Sequence, residues 1–347
     1  MFGFPKGKSK PHAPISTPPS ALVIPWKHDA TLPIPDWDKI VADTTDDQQL
    51  HTFWNAVALG WLAELTGRLG SAYKIAESAE FLLLGALSDR QLQLVLNYAE
   101  RTRNCVLKLL PDIARDEGYG KTVILVFDSE DRYYEYVTHY YADTPDETEL
   151  AFSSGMFIDS GYGHFVFVAD DLTRIEPVIA HELTHCLVRH LPLPAWVNEG
   201  IAVNTERRLC PPLGSTFTLA EWKSKHASFW NADTIQQFWS GKSWRRPDDG
   251  NLLSYELATT IIGLAAKNWP AFASFVCAAD AADAGDGASR EHLGHPIATF
   301  AEVVLGPGEW APDSARWQQG VERGQFRTEV RVRGTARGRR SGNARHA

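Results

Sequence analysis

The chain has few cysteines and no long apolar run, and both absences limit what it can be. Four cysteines lie scattered among 347 residues, with no C-x-x-C pair. This spacing does not form a dense disulfide framework, and it predicts free thiols in a reducing compartment. The longest apolar runs, such as 122–127, are far shorter than the roughly 20 residues that cross a bilayer. We therefore expect no membrane span and, without a signal-peptide core near the start, a cytoplasmic location.

Positive charge is scarce through most of the chain and concentrated at its end. The formal net charge is -9, yet the segment from Arg323 onward holds eight arginines and one acidic residue, Glu329, for a local +7. The rest of the chain therefore carries -9 minus 7, or -16. An acidic body argues against nucleic-acid binding except through this basic tail, which we predict to be disordered over 319–347.

The organisation of the chain follows from proline content and apolar periodicity. Residues 1–35 contain eight prolines and no periodic apolar pattern, which predicts a disordered leader. Residues 36–120 are predicted to be a helical region with one strand, and 121–318 a domain of strands and helices that ends before the tail. The individual segments are strands at 79–87, 122–127, 155–159 and 164–169, the last two as a hairpin, and a flexible loop at 279–289.

One motif dominates the chain: His181-Glu182-Leu183-Thr184-His185. Apolar residues at helical spacing around it predict a helix, with a capping box formed by Thr173 and Glu176 and with Pro177 in the first turn. Helical positions four apart lie on one face, so the two histidines can present nitrogens to one metal ion, and zinc is the metal that fits. The glutamate between them lies beside the ion, where a carboxylate can take a proton from water that the metal activates.

A catalytic zinc needs a third protein ligand and one open position. The sequence offers four candidates, which are Glu199, Glu206, Asp171 and His190. Pro194 is placed to begin a second helix that folds back on the first, with Glu199 in its second turn and Gly200 leaving room for close helix approach. Glu206 would lie roughly 10 Å further along the axis, whereas the other two lie before and beyond the motif helix. Glu199 is therefore the predicted third ligand.

These residues carry a resemblance to a known family. The motif and the later segment 193–202 (Leu-Pro-Ala-Trp-Val-Asn-Glu-Gly-Ile-Ala) resemble the gluzincin zinc metallopeptidases, in particular their minimal, thermolysin-like "peptidase MA-like" domains. The 13 residues between His185 and Glu199 agree with the short link of those minimal domains and depart from the longer one of thermolysin itself. The resemblance runs from about 79 to 317 with falling specificity. It implies an α+β, thermolysin-like zincin fold: a small mixed sheet with an antiparallel edge strand packed on the active-site helix, followed by a mainly helical part.

Motif chemistry and resemblance together predict a zinc-dependent metallopeptidase that acts on peptides or proteins, with Glu182 as general base. The resemblance also points to Tyr255 as donor to the tetrahedral oxyanion, while a packing role for this tyrosine is an equal alternative. Other possible donors are His164, His190 and His226. We further expect an extended substrate to pair with an exposed sheet edge at 164–168, unless that strand is internal and paired on both sides.

Two other classes of function stay open. One is a zinc hydrolase acting on a substrate other than a peptide, and the second is a catalytically silent zinc- or peptide-binding module of the same fold. Glu182 argues against a catalytically silent module, because a structural zinc site prefers four protein ligands and has no use for a carboxylate beside the metal.

Overall fold

The computed structural model describes residues 22–28, 31–140, 155–212, 214 and 217–317. The predicted basic tail 319–347 and the first part of the predicted leader lie outside the described residues. Five strands form one mixed sheet of order β1-β2-β3-β5-β4. Strands β2, β3 and β5 are parallel to one another, whereas β1 and β4 run antiparallel to their neighbours. Their bounds are β1 Lys74–Glu77, β2 Phe81–Gly85, β3 Thr122–Phe127, β4 Gly155–Ile158 and β5 His164–Val168.

Helices make up most of the remaining described chain, and the predicted α+β class is confirmed. The α-helices are α1 Asp47–Leu69, α2 Asp89–Leu109, α3 Glu130–Tyr140, α4 Leu172–Val188, α5 Ala195–Leu209, α6 Leu219–Phe229, α7 Thr234–Trp239, α8 Asp249–Ala265, α9 Trp269–Ala278, α10 Asp286–Ala288, α11 Ile297–Leu305 and α12 Ser314–Trp317. Short 3₁₀ turns occur at Trp37–Lys39, Lys242–Arg245 and Ala281–Asp283, and a π-helical turn at Ser289–Leu293. None of the helices in the described ranges combines the length and the apolar character that crossing a membrane requires.

The sheet separates two hydrophobic cores, because successive strand residues point to opposite faces. On one face α1 and α3 cover residues such as Val123 and Leu125. On the other face α2 and α4 cover residues such as Ile124 and Phe165. Helix α4 also packs against α5, and α5 packs against α8, so the C-terminal helices continue the second core. This order places α4 between the sheet and the helical part of the molecule.

The prediction that 1–35 is a disordered leader is wrong for its last residues. Leu32 and Ile34 are buried, and the Trp61 indole of α1 donates a hydrogen bond to the carbonyl of Pro33 at 3.2 Å. Trp26 and Pro35 form an isolated antiparallel bridge. High proline content suggested an unpacked segment, but the apolar residues that alternate with the prolines insert against α1.

The region predicted as 36–120 contains two strands rather than one. Strand β1 escaped prediction because it is short and its side chains are half-buried or exposed, so it has no apolar run. Strand β2 pairs directly with β3, for example Phe81 with Thr122. The boundary drawn between 120 and 121 therefore passes between two neighbouring strands of one sheet.

The predicted hairpin is confirmed as β4 and β5, but its role as an exposed edge at 164–168 is wrong. Strand β5 pairs with β3 on one side and with β4 on the other. Phe165, Val166 and Phe167 are all buried, as expected for a strand covered on both faces. The sheet edge on this side of the described structure is β4.

Helix α4 begins earlier than predicted. The prediction that Thr173 and Glu176 form a capping box is therefore wrong. Asp171 precedes the first helical residue, Leu172, and its side chain makes no capping hydrogen bond. Pro177 consequently lies inside the helix rather than in its first turn. A proline there removes the N–H that would bond the carbonyl of Thr173. Thr173 is exposed, so water can satisfy that carbonyl.

The segment 279–289, predicted to be a flexible loop, is packed and helps to place α5. Ala284 is fully buried, and its carbonyl accepts a hydrogen bond from the Trp196 indole at 3.0 Å. Trp196 is itself completely buried, three positions before Glu199 on the same helix. The predicted flexibility fails because a buried tryptophan N–H needs an acceptor, and this segment supplies it.

Candidate metal centre

The structure brings His181, His185 and Glu199 together. The two histidines lie one turn apart on α4, with ring centroids 4.8 Å from each other. Glu199 reaches them from α5: its Oε2 atom lies 3.3 Å from Nε2 of His181 and 3.6 Å from Nε2 of His185. One potential ligand atom from each residue lies within 4.8 Å of the others. These are the three residues that the sequence predicts as metal ligands.

Each histidine is oriented from its outer side by an acceptor on α5. Nδ1 of His181 donates to Oε2 of Glu206 at 3.0 Å, and Nδ1 of His185 donates to Oδ1 of Asn198 at 3.0 Å. In a neutral imidazole, a hydrogen bond donated at Nδ1 leaves Nε2 as the nitrogen that can bind a metal. Sequence reasoning weighed Glu206 only as a ligand and gave Asn198 no role, because both contacts depend on how α4 and α5 cross.

The third residue of the cluster has a buried oxygen that only the two imidazole nitrogens approach, at ion-pair rather than hydrogen-bond geometry. Oε2 of Glu199 is buried and accepts no hydrogen bond from any described residue. An unpaired buried carboxylate oxygen is costly, so one that faces two imidazole nitrogens needs a cation or a proton to complete it. Two imidazole nitrogens and one carboxylate oxygen match the ligand set of a catalytic zinc. The residues present therefore fit the predicted Zn²⁺.

The histidines and carboxylates of the cluster shift one another's pKa values. Burial acts to lower the pKa of His181, but the carboxylates of Glu199 and Glu206 outweigh it and hold that pKa well above its ordinary value. Burial acts to raise the pKa of Glu199, and the neighbouring His185 and His181 reverse this effect and lower it. Each partner thus favours the charged form of the other, which is the electrostatic pattern of a site that holds a positive charge near Glu199.

Glu182 lies beside the cluster, between α4 and the sheet edge. Its side chain is buried, and burial raises its pKa against the opposing effect of His181 and His185. A hydrogen bond from the backbone of Phe157 in β4 reaches its carboxylate. Strand β4 runs close along α4 because Gly155 has no side chain: a Cβ atom there would meet Cγ1 of Val178 at 2.4 Å. This carboxylate therefore faces the edge of the sheet as well as the histidines.

Tyr255 approaches the same site from α8. Helix α8 packs against α5 at Gly200, where a Cβ atom would lie 2.9 Å from the carbonyl oxygen of Ala258. The close approach predicted for Gly200 is thus made with α8 rather than with α4. Burial raises the pKa of Tyr255 well above its ordinary value, and the charges of Glu199 and Glu182 add to this effect. The tyrosine is therefore an electrostatic neighbour of the cluster.

The other predicted donors lie elsewhere. His164 is on the opposite face of the sheet, where Nδ1 donates to the carbonyl of Tyr162 at 2.6 Å and Nε2 accepts from the Tyr136 hydroxyl at 2.7 Å. His226 accepts a hydrogen bond from the Trp230 indole at 2.9 Å. His190 follows the end of α4 and belongs to no cluster of potential ligands in the described residues. The two remaining ligand candidates, Asp171 and Glu206, are also not part of the three-residue cluster.

Comparison of the chain with models of known protein families finds no match, and a search among curated proteins finds none either. The resemblance to gluzincin peptidases accordingly rests on the motif residues themselves.

Proposed function

We propose that the protein is a zinc-dependent metallopeptidase that hydrolyses peptide bonds with Glu182 as general base. The observation that carries this proposal is the convergence of Nε2 of His181 and His185 on the buried Oε2 of Glu199, which has no hydrogen bond of normal geometry in the described residues. Three protein ligands leave a coordination position for water, as catalytic zinc sites require and structural ones do not. Glu182 is buried next to the cluster without belonging to it, which suits a proton acceptor rather than a ligand.

The side chains divide the work between holding the metal and moving protons. Glu206 and Asn198 keep the two imidazoles oriented through Nδ1. Zinc bound at the cluster supplies a Lewis acid that makes water a nucleophile at neutral pH. Glu182 accepts the proton of the attacking water and passes it to the leaving amine. Tyr255, with its hydroxyl free of hydrogen bonds to the described residues, donates to the oxyanion of the tetrahedral intermediate.

The sheet edge favours a peptide as substrate. Within the described residues β4 pairs with β5 only, so its second side is available to an extended chain. Backbone pairing with an edge strand gives a peptide affinity without depending on its sequence. Because the Phe157 backbone of β4 bonds Glu182, a peptide paired there would lie beside the proposed base. An antiparallel edge strand packed on α4, with helices following, also supports the finer proposal of a thermolysin-like zincin fold.

Digestion of a broad peptide library by the purified protein tests this proposal. We expect cleavage products that disappear when a chelator removes the metal and return when zinc is added. Zinc binding without any cleavage would favour a silent binding module instead. Cleavage of ester or amide compounds but of no peptide would favour a hydrolase with a different substrate.

A further inference from the structure

The ring of Tyr255 rests against the indole of Trp244. The two ring centroids are 6.1 Å apart and the planes meet at 83°, an edge-to-face contact. It is the one ring contact that Tyr255 makes among the described residues, and no hydrogen bond to a described residue fixes its hydroxyl. The direction of this side chain therefore depends on packing, and the indole supplies the aromatic part of that packing.

Trp244 itself is held firmly against α8. It lies in the 3₁₀ turn Lys242–Arg245, and the hydroxyls of the preceding Ser243 and of Ser254, the residue before Tyr255, are hydrogen-bonded to each other at 2.6 Å. Both serines are fully buried. The side-chain amide of Asn251, also on α8, donates to the carbonyl of Trp244. The turn and the helix are thus tied together at the positions that flank the aromatic pair.

A second aromatic contact fixes the indole from behind. Phe238 of α7 stacks on Trp244 with centroids 5.2 Å apart and an interplanar angle of 26°. Phe238 is fully buried, so this support belongs to the main core. Trp244 therefore has a fixed place and can set the place of the tyrosine ring, whereas the reverse does not hold.

We propose that Trp244 is a positioning residue that holds the Tyr255 ring, and with it the hydroxyl, in one orientation at the metal centre. Its effect on catalysis rests on the proposed peptidase function, whereas the ordering of the ring is a property of the folded chain alone. Edge-to-face pairs add a modest stabilisation beyond area burial, which corresponds to a change of about threefold to tenfold in the ratio of the held orientation to all others. That is the size of effect we expect from removing the indole.

The orientation of the ring can be measured without any activity. We would place 3-fluorotyrosine at position 255 and record its fluorine NMR resonance in the metal-free and zinc-loaded protein. One narrow resonance is expected with Trp244, and a shifted, exchange-broadened or split resonance with Trp244→Leu. Trp244→Phe, which keeps a ring in place, should retain most of the native signal.

Trp269→Leu is the matched control. Like Trp244, it is a partly buried tryptophan with a buried indole N–H that has no partner in the described residues, and its ring contacts Phe272 rather than Tyr255. An identical fluorine spectrum in the Trp244→Leu and Trp269→Leu proteins would overturn the proposal. If Trp244→Leu does not fold, Trp244→Met replaces it, because methionine removes the ring while keeping apolar volume. The same fluorine resonance is then recorded and compared with that of Trp269→Leu.

A kinetic cycle tests the link to catalysis. Trp244→Leu should lower kcat, by no more than about tenfold, with little change in KM, and it should have no further effect once Tyr255→Phe has removed the hydroxyl. An equal loss of kcat in both backgrounds would show that Trp244 does not act through Tyr255. If the wild-type protein cleaves no peptide, the peptidase proposal fails, and the fluorine spectra still decide whether Trp244 orders the ring.

Discussion

Histidines that are buried or half-buried lie on both faces of the sheet, and their ring nitrogens are used differently. On the α1 and α3 face, His164 has neutral partners at both nitrogens, the Tyr162 carbonyl and the Tyr136 hydroxyl. On the α4 face, His181 and His185 have a partner at Nδ1, while both Nε2 atoms point toward one carboxylate oxygen of Glu199. The same residue type therefore completes a hydrogen-bond network on one face and leaves a nitrogen available on the other.

The difference shows that burial alone does not identify a metal ligand. His164 is the most deeply buried of the three, and its burial lowers its pKa to about 4, so it is neutral at pH 7. His181 is slightly exposed and lies between two carboxylates that raise its pKa. A histidine whose second nitrogen faces a carboxylate that lacks a hydrogen bond is the one that a cation can bind.

The largest expected effect is the loss of kcat in Glu182→Gln, since Glu182 lies beside the α4 histidines without being one of the proposed ligands. Glu182→Gln removes the proton acceptor and keeps the shape of the side chain, so kcat should fall by about 10²- to 10⁴-fold while zinc content stays near that of the wild type. Glu176→Gln, one and a half turns earlier on α4, is the control and should leave kcat unchanged. Full activity of the Glu182 variant, or loss of its zinc in a folded protein, would contradict the assigned role.

A second contrast compares the zinc affinities of two variants, one at the proposed ligand Glu199 and one at Glu206, which orients the ligand His181. Glu199→Gln replaces the central oxygen donor and should weaken zinc binding by more than about 100-fold, whereas Glu206→Gln should weaken it by about 10- to 100-fold through His181. The sequence alone predicted no effect at Glu206, and the hydrogen bond to His181 changes that expectation. Zinc affinities measured by competition with a chelating dye decide the order. A reversed order would mean that Glu206 is the ligand.

A third contrast exchanges the two faces directly. His164→Leu leaves buried oxygen atoms of Tyr136 and Tyr162 short of a partner and should lower the free energy of unfolding by about 1–3 kcal/mol, with zinc affinity retained in the folded protein. His181→Leu should abolish tight zinc binding and change the stability of the metal-free protein less. Denaturant titrations and zinc titrations of both variants measure the two quantities. Equal losses in the free energy of unfolding for His164→Leu and metal-free His181→Leu would contradict the distinction between a structural histidine on one face and a metal-binding histidine on the other.

The smallest expected effect is in the pH dependence of stability. Burial lowers the folded-state pKa of His164 to about 4, below the ordinary histidine value of 6.5, so the unfolded chain binds a proton more readily. The contribution of this neutral histidine is therefore present above pH 6.5 and is lost as pH falls toward 4. Between pH 7 and 5.5 the loss should be about 1 kcal/mol.

Urea unfolding of metal-free wild-type protein and of His164→Leu at both pH values isolates this term. Tyr136 and Tyr140, which surround the imidazole, have pKa values raised by burial and do not titrate in this range. The loss of stability between pH 7 and 5.5 should therefore be smaller in the variant. The same pH dependence in both proteins would show that His164 is not held neutral in the folded state.

Local sequence signals gave correct results where one stretch determines its own structure. The apolar run of β3 forms a strand over the predicted residues, and Ser88 with Gln91, which have the spacing of a capping box, form one at the start of α2. The spacing of His181 and His185 placed both imidazoles on one helical face. Each of these outcomes depends on backbone periodicity or on contacts between near neighbours.

Contacts between distant segments were the ones that sequence reasoning missed. Whether 164–168 forms an edge or an inner strand depends on where β4 lies, and both alternatives fit an apolar pentapeptide. The hydrogen bond from His181 to Glu206 depends on the crossing of α4 and α5, which no spacing rule gives. The burial of Leu32 likewise depends on α1, whose Trp61 and Leu62 belong to the same hydrophobic cluster. In each case tertiary packing decided between local alternatives.

The most direct test of the metal centre is anomalous diffraction at the zinc edge from crystals of the purified protein. The account predicts one strong peak bonded to Nε2 of His181, Nε2 of His185 and a carboxylate oxygen of Glu199, at about 2.0–2.2 Å from each. The carboxylate of Glu182 should lie near this peak without being a ligand. No peak after zinc soaking, or a peak held by other residues with the three predicted ligands unbound, would contradict it.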